Sequence, residues 1–259
     1  MTRSVSQQTY FGIVTLLFAA SALGTASMCR SMSHMGAMEM PGGWSMSMAW
    51  MLMPGQTWLG AESSFVCMWV VMMVAMMLPS LAPMLGRYRA AVADAPHLGW
   101  LSCLVGAGYF FVWSTIGAVI FPLGYAVSTV EMEHTYLSRA VPLAVGLVGL
   151  AVGVLQLTRW KASRIACCNA SPCHDCVRDA TAKTAWRHGL RLGIRCAACC
   201  SGLMALQVIL GVMDLRLMAL ATAAITAERL VPNGARVARY LGYAIVVAGM
   251  YMTAKAVGI

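Results

Sequence analysis

The chain contains several apolar runs of about 20 residues, the length that an α-helix needs to cross the hydrocarbon core of a bilayer. Of its 259 residues, 60% are hydrophobic and only 10% are charged, whereas a soluble domain has about 25% charged residues. We therefore predict an all-α, polytopic transmembrane helical bundle. Its seven predicted spans are residues 10–29, 64–86, 100–126, 140–158, 195–213, 216–232 and 240–258.

The first span also has features of a signal peptide, with Arg3 before the apolar stretch and small residues after it. We interpret it as an uncleaved helix because the apolar run is long. Cleavage would leave six spans with the same later topology. We divide the chain into residues 1–63, an N-terminal span with a methionine-rich loop, and residues 64–259, a metal-binding membrane domain.

Basic residues are distributed unevenly between the two sides of this alternation. Fourteen of the 18 Lys and Arg residues fall on one side, and the largest group lies between residues 159 and 195. Cytoplasmic loops carry such an excess, so we predict a multi-pass protein of the bacterial inner membrane with a cytoplasmic N-terminus. The net charge of +9 is thus an orientation signal. We expect the lipid bilayer as a partner and no nucleic acid.

The predicted periplasmic segment 28–53 contains nine methionines. A thioether is a soft ligand that suits Cu(I), and it remains usable in an oxidising compartment where thiols would pair. We predict that this segment captures copper, with His34 and Met35 as candidate ligands. The alternative is a methionine-rich segment lying on the lipid surface, with Trp44 and Trp50 as its anchors.

The second span places its methionines on one side of a helix. At 100° per residue, all five methionines between residues 67 and 78 fall within one half of the helical circumference. This partition predicts that the methionine half faces protein or a pathway, with Met72, Met73, Met76 and Met77 as candidate metal ligands. Adaptable packing is the alternative. We expect Pro79 and Pro83 to break the helix near its cytoplasmic end.

Seven of the ten cysteines lie in or beside the large cytoplasmic loop, where thiols remain reduced. The stretches "CCNASPCHDC" and "RCAACC" each carry a Cys-x-x-Cys, which indicates a soft-metal site. The metal is Cu(I) or, as the alternative, zinc in a structural tetrathiolate. Basic neighbours such as Arg164, Arg191 and Arg195 would favour the thiolate. The candidate ligands are Cys167, Cys168, Cys173, Cys176, Cys196, Cys199 and Cys200.

Two carboxylates lie near predicted membrane depth. Asp214 is in the tight turn between the fifth and sixth spans, and Glu228 is near the inner end of the sixth. Carboxylates at such depths are functional candidates. The alternative for Glu228 is a local ion pair at the interface, where Arg229 follows it.

The segments "MWVVMMVAMMLPSLAPM" and "GLRLGIRCAACCSGLMALQVILGVMDLRLMALATAAITAERLVPNG" resemble a bacterial family of predicted metal-binding integral membrane proteins, a domain of unknown function. The resemblance covers roughly residues 64–240 and implies a metal and a membrane. Two positions depart from the family pattern, Ser201 in place of an aromatic residue and Arg229 in place of Lys. The matching positions are Met72, Met73, Met76, Met77, Pro79, Cys196, Cys199, Cys200, Gly211, Met213, Glu228 and Arg229.

The sequence lacks a Walker A motif and a DKTGT phosphorylation sequence, so we do not expect ATP-driven pumping and assign no enzymatic activity. We expect a protein that captures Cu(I) with methionines outside, passes it along the methionine-lined span and delivers it to cytoplasmic thiolates. Its partner would be a copper chaperone or a metalloenzyme. The alternatives are a membrane thiol-redox protein that uses Cys-x-x-Cys pairs and an accessory factor for metalloenzyme assembly.

Overall fold

The described part of the chain is mostly helical. A computed structural model describes residues 2–34, 38–40, 44–52, 55–93, 95, 97–169 and 180–258. Within these ranges the structure has eight α-helices, two short strands and one turn of 3₁₀-helix. The helices are α1 (Thr2–His34), α2 (Trp58–Ala91), α3 (Leu98–Glu133), α4 (Thr135–Leu157), α5 (Arg159–Asn169), α6 (Ala182–Gly211), α7 (Leu215–Leu230) and α8 (Gly234–Val257).

Six of these helices, α1 to α4, α6 and α8, are long and apolar enough to cross a membrane. Large apolar side chains such as Leu23, Leu220 and Tyr251 project from the outside of the bundle, as expected for a surface that faces lipid. The prediction of seven spans is not confirmed. The difference is the predicted span 216–232, since α7 has only 16 residues.

Contacts between helices show how they alternate in direction. The Tyr10 hydroxyl near the start of α1 donates to the Ala82 carbonyl late in α2, at 2.7 Å, so these helices are antiparallel. Arg89 at the end of α2 likewise reaches Ser102 at the start of α3. The short α7 returns beside the second half of α6, because Lys161 contacts both Glu228 of α7 and the Cys199 carbonyl of α6.

The second helix continues through both prolines to Ala91, so the prediction of a break near Pro79 and Pro83 is wrong. Proline removes one hydrogen-bond donor and crowds the preceding turn, but packing around this part of α2 holds it helical. The side chains of Leu78, Ser80, Leu81 and Ala82 are buried. The Tyr10 hydroxyl also gives the Ala82 carbonyl a partner from another helix.

A small antiparallel hairpin lies between α1 and α2, formed by strands β1 (Met38–Met40) and β2 (Trp44–Met46). The Trp44 indole donates to the Ser138 carbonyl at 2.9 Å, which ties the hairpin to α4. A 3₁₀ turn (Met48–Trp50) follows. Its Trp50 ring lies 5.2 Å from the Phe65 ring of α2. The predicted periplasmic segment 28–53 is therefore in part helix and in part a hairpin docked on the bundle.

Candidate metal site

The methionine half of α2 faces the interior of the bundle. Met72, Met73, Met76 and Met77 are all at most 2% exposed. On the opposite half, Val70, Val71, Val74 and Ala75 are partly exposed and Cys67 is exposed. The angular partition in the sequence thus corresponds to a partition between protein-facing and outward-facing side chains. Two residues are exceptions, because Leu78 is buried together with the methionines and Met68 is partly exposed.

The cysteine-bearing part of α6 is held close to α3 by glycines. A Cβ at Gly189 would collide with the backbone carbonyl of Val105, and one at Gly108 would lie 2.8 Å from the Trp186 carbonyl. Only glycine permits backbones to approach so closely. This packing brings the Tyr109 hydroxyl of α3 to within 3.0 Å of the Cys196 Sγ, to which it donates a hydrogen bond.

Three sulfur atoms from α2 and α6 converge in the interior. Cys196 Sγ lies 3.9 Å from Met77 Sδ and 3.9 Å from Cys200 Sγ. All three side chains are at most 2% exposed. Cys196 and Cys200 share a helix face because residues four apart are neighbours on a helix surface. We call Met77, Cys196 and Cys200 the sulfur cluster.

The guanidinium of Arg229, from the end of α7, lies against the sulfur cluster. Its Nη1 donates to Cys196 Sγ at 2.9 Å and to Ser80 Oγ at 3.0 Å, and its Nη2 lies 3.0 Å from Met84 Sδ. Arg229 is 3% exposed. Its positive charge is therefore buried among soft sulfur atoms.

A second buried charge network lies beside the cluster. Lys161 Nζ pairs with Glu228 Oε2 at 2.8 Å and donates to the Cys199 carbonyl at 2.6 Å. Gln156 donates to the other carboxylate oxygen of Glu228 at 2.7 Å. Glu228 does form an ion pair, but with Lys161 of α5 and in a buried position, while Arg229 points towards the cysteines.

Two adjacent cysteines at the end of α5, Cys167 and Cys168, lie between the cluster region and the surface. Cys168 at the end of α5 donates to the Arg195 carbonyl at 3.1 Å and lies beside the Cys199 thiol. Interaction with that thiol, together with burial, raises the pKa of the Cys168 thiol. The neighbouring Cys167 is exposed. The two thiols of α5 thus have opposite environments.

Some of the predicted functional residues are not described, and Asp214 has another role. Cys173, Cys176, Met35 and the side chain of His34 lie outside the residues that the structure describes. Asp214 caps α7 by accepting from the backbone N–H groups of Arg216 and Leu217. Across the described ranges, no group of three or more His, Cys, Asp or Glu side chains is arranged to hold a metal ion. A metal site with three or more ligands in the described part of the chain therefore requires methionine sulfur.

Sequence reasoning missed Tyr109, Met84 and Lys161 as neighbours of the cysteines, and it misplaced Arg229. Met84 could have been found, since it lies seven residues after Met77 and so shares its helix face. The contacts of Tyr109 and Lys161 carry no sequence signal, because they depend on which helices pack together.

Comparison with known proteins assigns the chain to a family. The family model PpoB2, described as a copper chaperone, matches residues 66–252. The chain belongs to this copper chaperone family. The matched part includes the methionine face of α2, the sulfur cluster, Arg229 and the Lys161–Glu228 pair, and it begins after α1 and the hairpin. No curated protein and no solved structure matches the chain.

Proposed function

We propose that this chain is an integral membrane copper chaperone that binds Cu(I) at the sulfur cluster of Met77, Cys196 and Cys200. Membership of the copper chaperone family supports the cargo, and six helices of membrane-spanning length support the location. The observation that carries the proposal is the convergence of a thioether and a thiol from two helices, on residues that are 119 positions apart in sequence.

The spacing of the sulfurs fits a three-coordinate soft metal. With a metal–sulfur bond of about 2.3 Å, as for Zn–S, three sulfurs in a trigonal plane would be separated by about 4.0 Å. The two separations from Cys196 Sγ are both 3.9 Å. Thiolate and thioether are the ligands that Cu(I) prefers. Two of the three sulfur separations that such a site needs are therefore already close to the required value.

Charge favours Cu(I) over zinc at this position. One Cu(I) bound by two thiolates has a net charge of about −1, which the Arg229 guanidinium, 2.9 Å from Cys196 Sγ, would balance. Zn²⁺ with the same ligands would be neutral and would leave the arginine charge uncompensated in a buried site. Lys161 and Glu228 already neutralise each other. The neighbourhood as a whole is therefore closest to neutrality with a singly charged metal ion.

Soft donors on both sides of the cluster supply a route. Met72, Met73 and Met76 precede Met77 along the buried face of α2. On the other side, Cys199 and Cys168 lead to the exposed Cys167. Copper moving by ligand exchange between two- and three-coordinate sites would follow these sulfurs. With the N-terminus in the cytoplasm of a bacterial inner membrane, Cys167 lies on the cytoplasmic side.

A competition titration tests the site. The full chain in detergent, kept anaerobic, is titrated with Cu(I) against a chromogenic Cu(I) chelator. Removing a residue that only hydrogen-bonds a metal ligand typically weakens metal binding by about 10–100-fold. We expect Met77→Leu and the Cys196→Ser/Cys200→Ser double variant to weaken Cu(I) binding by more than this, because they remove ligands themselves. The matched control is Cys67→Ser/Cys103→Ser, which removes two exposed thiols and should leave the affinity unchanged.

Equal affinities for the cluster variants and the control would refute the proposed site. The same set of variants separates copper binding from a thiol-redox function. A redox protein would depend on Cys196 and Cys200 but not on Met77, so Met77→Leu would then behave as the wild type.

A further inference from the structure

Four basic side chains form a stripe along the first half of α6. Lys183, Arg187, Arg191 and Arg195 follow one another at four-residue intervals, and all four are exposed. We call them the basic stripe. Over the ranges that the structure describes, none of them forms an ion pair, and Glu228 of α7 is paired with Lys161 instead.

The described part of the chain does not offset the repulsion along the basic stripe. Like charges four residues apart destabilise a helix by about 0.2–0.5 kcal/mol per pair. Basic residues in the first turns also oppose the helix dipole, whose positive end is the N-terminus. A predicted orientation signal requires basic charge on this side of the membrane, but it does not require that the charge share one helix face. Negative charge from another molecule would relieve both effects.

The basic stripe ends beside the thiols that lead to the sulfur cluster. The backbone carbonyl of Arg195, the last residue of the stripe, accepts the hydrogen bond from Cys168. Cys168 lies beside the Cys199 thiol and is adjacent in sequence to the exposed Cys167. A molecule bound on the stripe would therefore lie next to an accessible thiol.

We propose that the basic stripe is the docking surface for an acidic, soluble, thiol-bearing protein domain that exchanges Cu(I) with this chain. The inference rests on the proposed function. In the exchange, a thiolate of the partner forms a bond to Cu(I) as a bond from Cu(I) to a cysteine of this chain breaks. Copper stays Cu(I), and no electron is transferred.

Anionic lipid headgroups fit the stripe less well than a protein does. The stripe extends over 12 residues, which is about 18 Å along the helix axis. The headgroup layer on one side of a bilayer is only about 5–7 Å thick. If α6 crosses the membrane, headgroups would reach one end of the stripe and leave the other in water, where a protein domain can contact it.

The test uses the full chain in nanodiscs of neutral phosphatidylcholine, loaded with Cu(I), with the loading measured before each run. The acceptor probe is a synthetic Cys-x-x-Cys peptide flanked by glutamates, and its matched control carries glutamines instead. The rate of Cu(I) transfer is followed for wild type and for Lys183→Gln/Arg187→Gln/Arg191→Gln, which leaves the turn at Cys196 untouched. The control variant is Arg139→Gln/Arg216→Gln/Lys255→Gln, three exposed basic residues outside the stripe.

We expect wild type to transfer Cu(I) to the glutamate peptide at least about tenfold faster than to the glutamine peptide at low ionic strength, and this advantage should fall as salt is added. The stripe variant should lose the advantage and the control variant should keep it. Equal rates for wild type and the stripe variant would overturn the proposal. An effect of the stripe variant that appears only in phosphatidylglycerol discs, for both peptides alike, would assign the stripe to lipid and overturn it too.

Failure of the copper site is recognised separately, because a chain that does not bind Cu(I) fails at the loading step. Binding of the metal-free glutamate peptide, followed by fluorescence anisotropy, then still tests the surface. Loss of this binding in the stripe variant supports docking, and unchanged binding contradicts it.

Discussion

Breaking the buried ion pair of Lys161 and Glu228 should destabilise the protein strongly. The two groups are 2.8 Å apart and their side chains are 3% and 1% exposed. Glu228→Gln removes one charge and leaves the other buried, which typically costs about 3–5 kcal/mol. For a chain of this size, that loss corresponds to a fall in melting temperature of about 6–20 °C. Thermal unfolding in detergent, followed by circular dichroism, measures it.

The double variant Lys161→Met/Glu228→Gln supplies the decisive comparison. Replacing both charges removes the uncompensated one, and such replacements are often neutral or stabilising. We therefore expect the double variant to melt above the Glu228→Gln variant and close to wild type. If Glu228→Gln melts at the wild-type temperature, the pair is solvated and the buried charge network is not what holds α5 and α7 around Cys199. If the double variant melts lowest of all, the two losses are additive and the groups do not interact.

Two further predictions concern the sulfur side chains. Changing Met72, Met73, Met76 and Met77 together to Leu conserves volume, and such swaps usually cost less than about 1.5 kcal/mol each. We therefore expect a folded protein that no longer accumulates copper in cells. The control Val70→Leu/Val71→Leu/Val74→Leu should accumulate copper normally. Similar copper uptake by the two variants would mean that the methionines serve only in packing. In the native protein, we expect maleimide to modify Cys167 well before Cys168, because Cys168 is buried and its raised pKa keeps it a thiol. Peptide mass spectrometry over a time course measures the two rates of modification. Equal rates would contradict the burial of Cys168.

The methionine face of α2 could be predicted because it depends on one helix alone. A rotation of 100° per residue determines which side chains share a face. Long apolar helices bury one face when they pack. Which residue types lie on each face is determined by the sequence of the helix itself. The same local reasoning failed at Pro79 and Pro83, where the helix continues. Its continuation depends on packing from other helices, which buries Leu78, Ser80, Leu81 and Ala82.

The sulfur cluster itself could not be predicted, because it requires knowing that α2 packs against α6. Arg229 illustrates the limit. Next to Glu228 in sequence, it is the obvious candidate for an ion pair with that residue. Consecutive residues on a helix point about 100° apart. Glu228 therefore reaches Lys161 and Arg229 reaches Cys196, and only the packing of three helices determines these partners.

The two ends of the proposed route differ in how much buried structure separates the sulfur cluster from the surface. The rings of Trp50, Phe65 and Trp69 form an aromatic layer at the hairpin end. The Trp50 and Phe65 ring centroids are 5.2 Å apart, and those of Phe65 and Trp69 are 5.9 Å apart. Trp69 is fully buried and its indole donates to the Trp113 carbonyl at 2.9 Å. On the proposed route, copper captured by the hairpin methionines would pass these rings, which are held by hydrogen bonding and close packing. Towards Cys167, the neighbouring side chains Cys199 and Cys168 are themselves thiols. We therefore expect exchange through the cysteine end to require the smaller rearrangement.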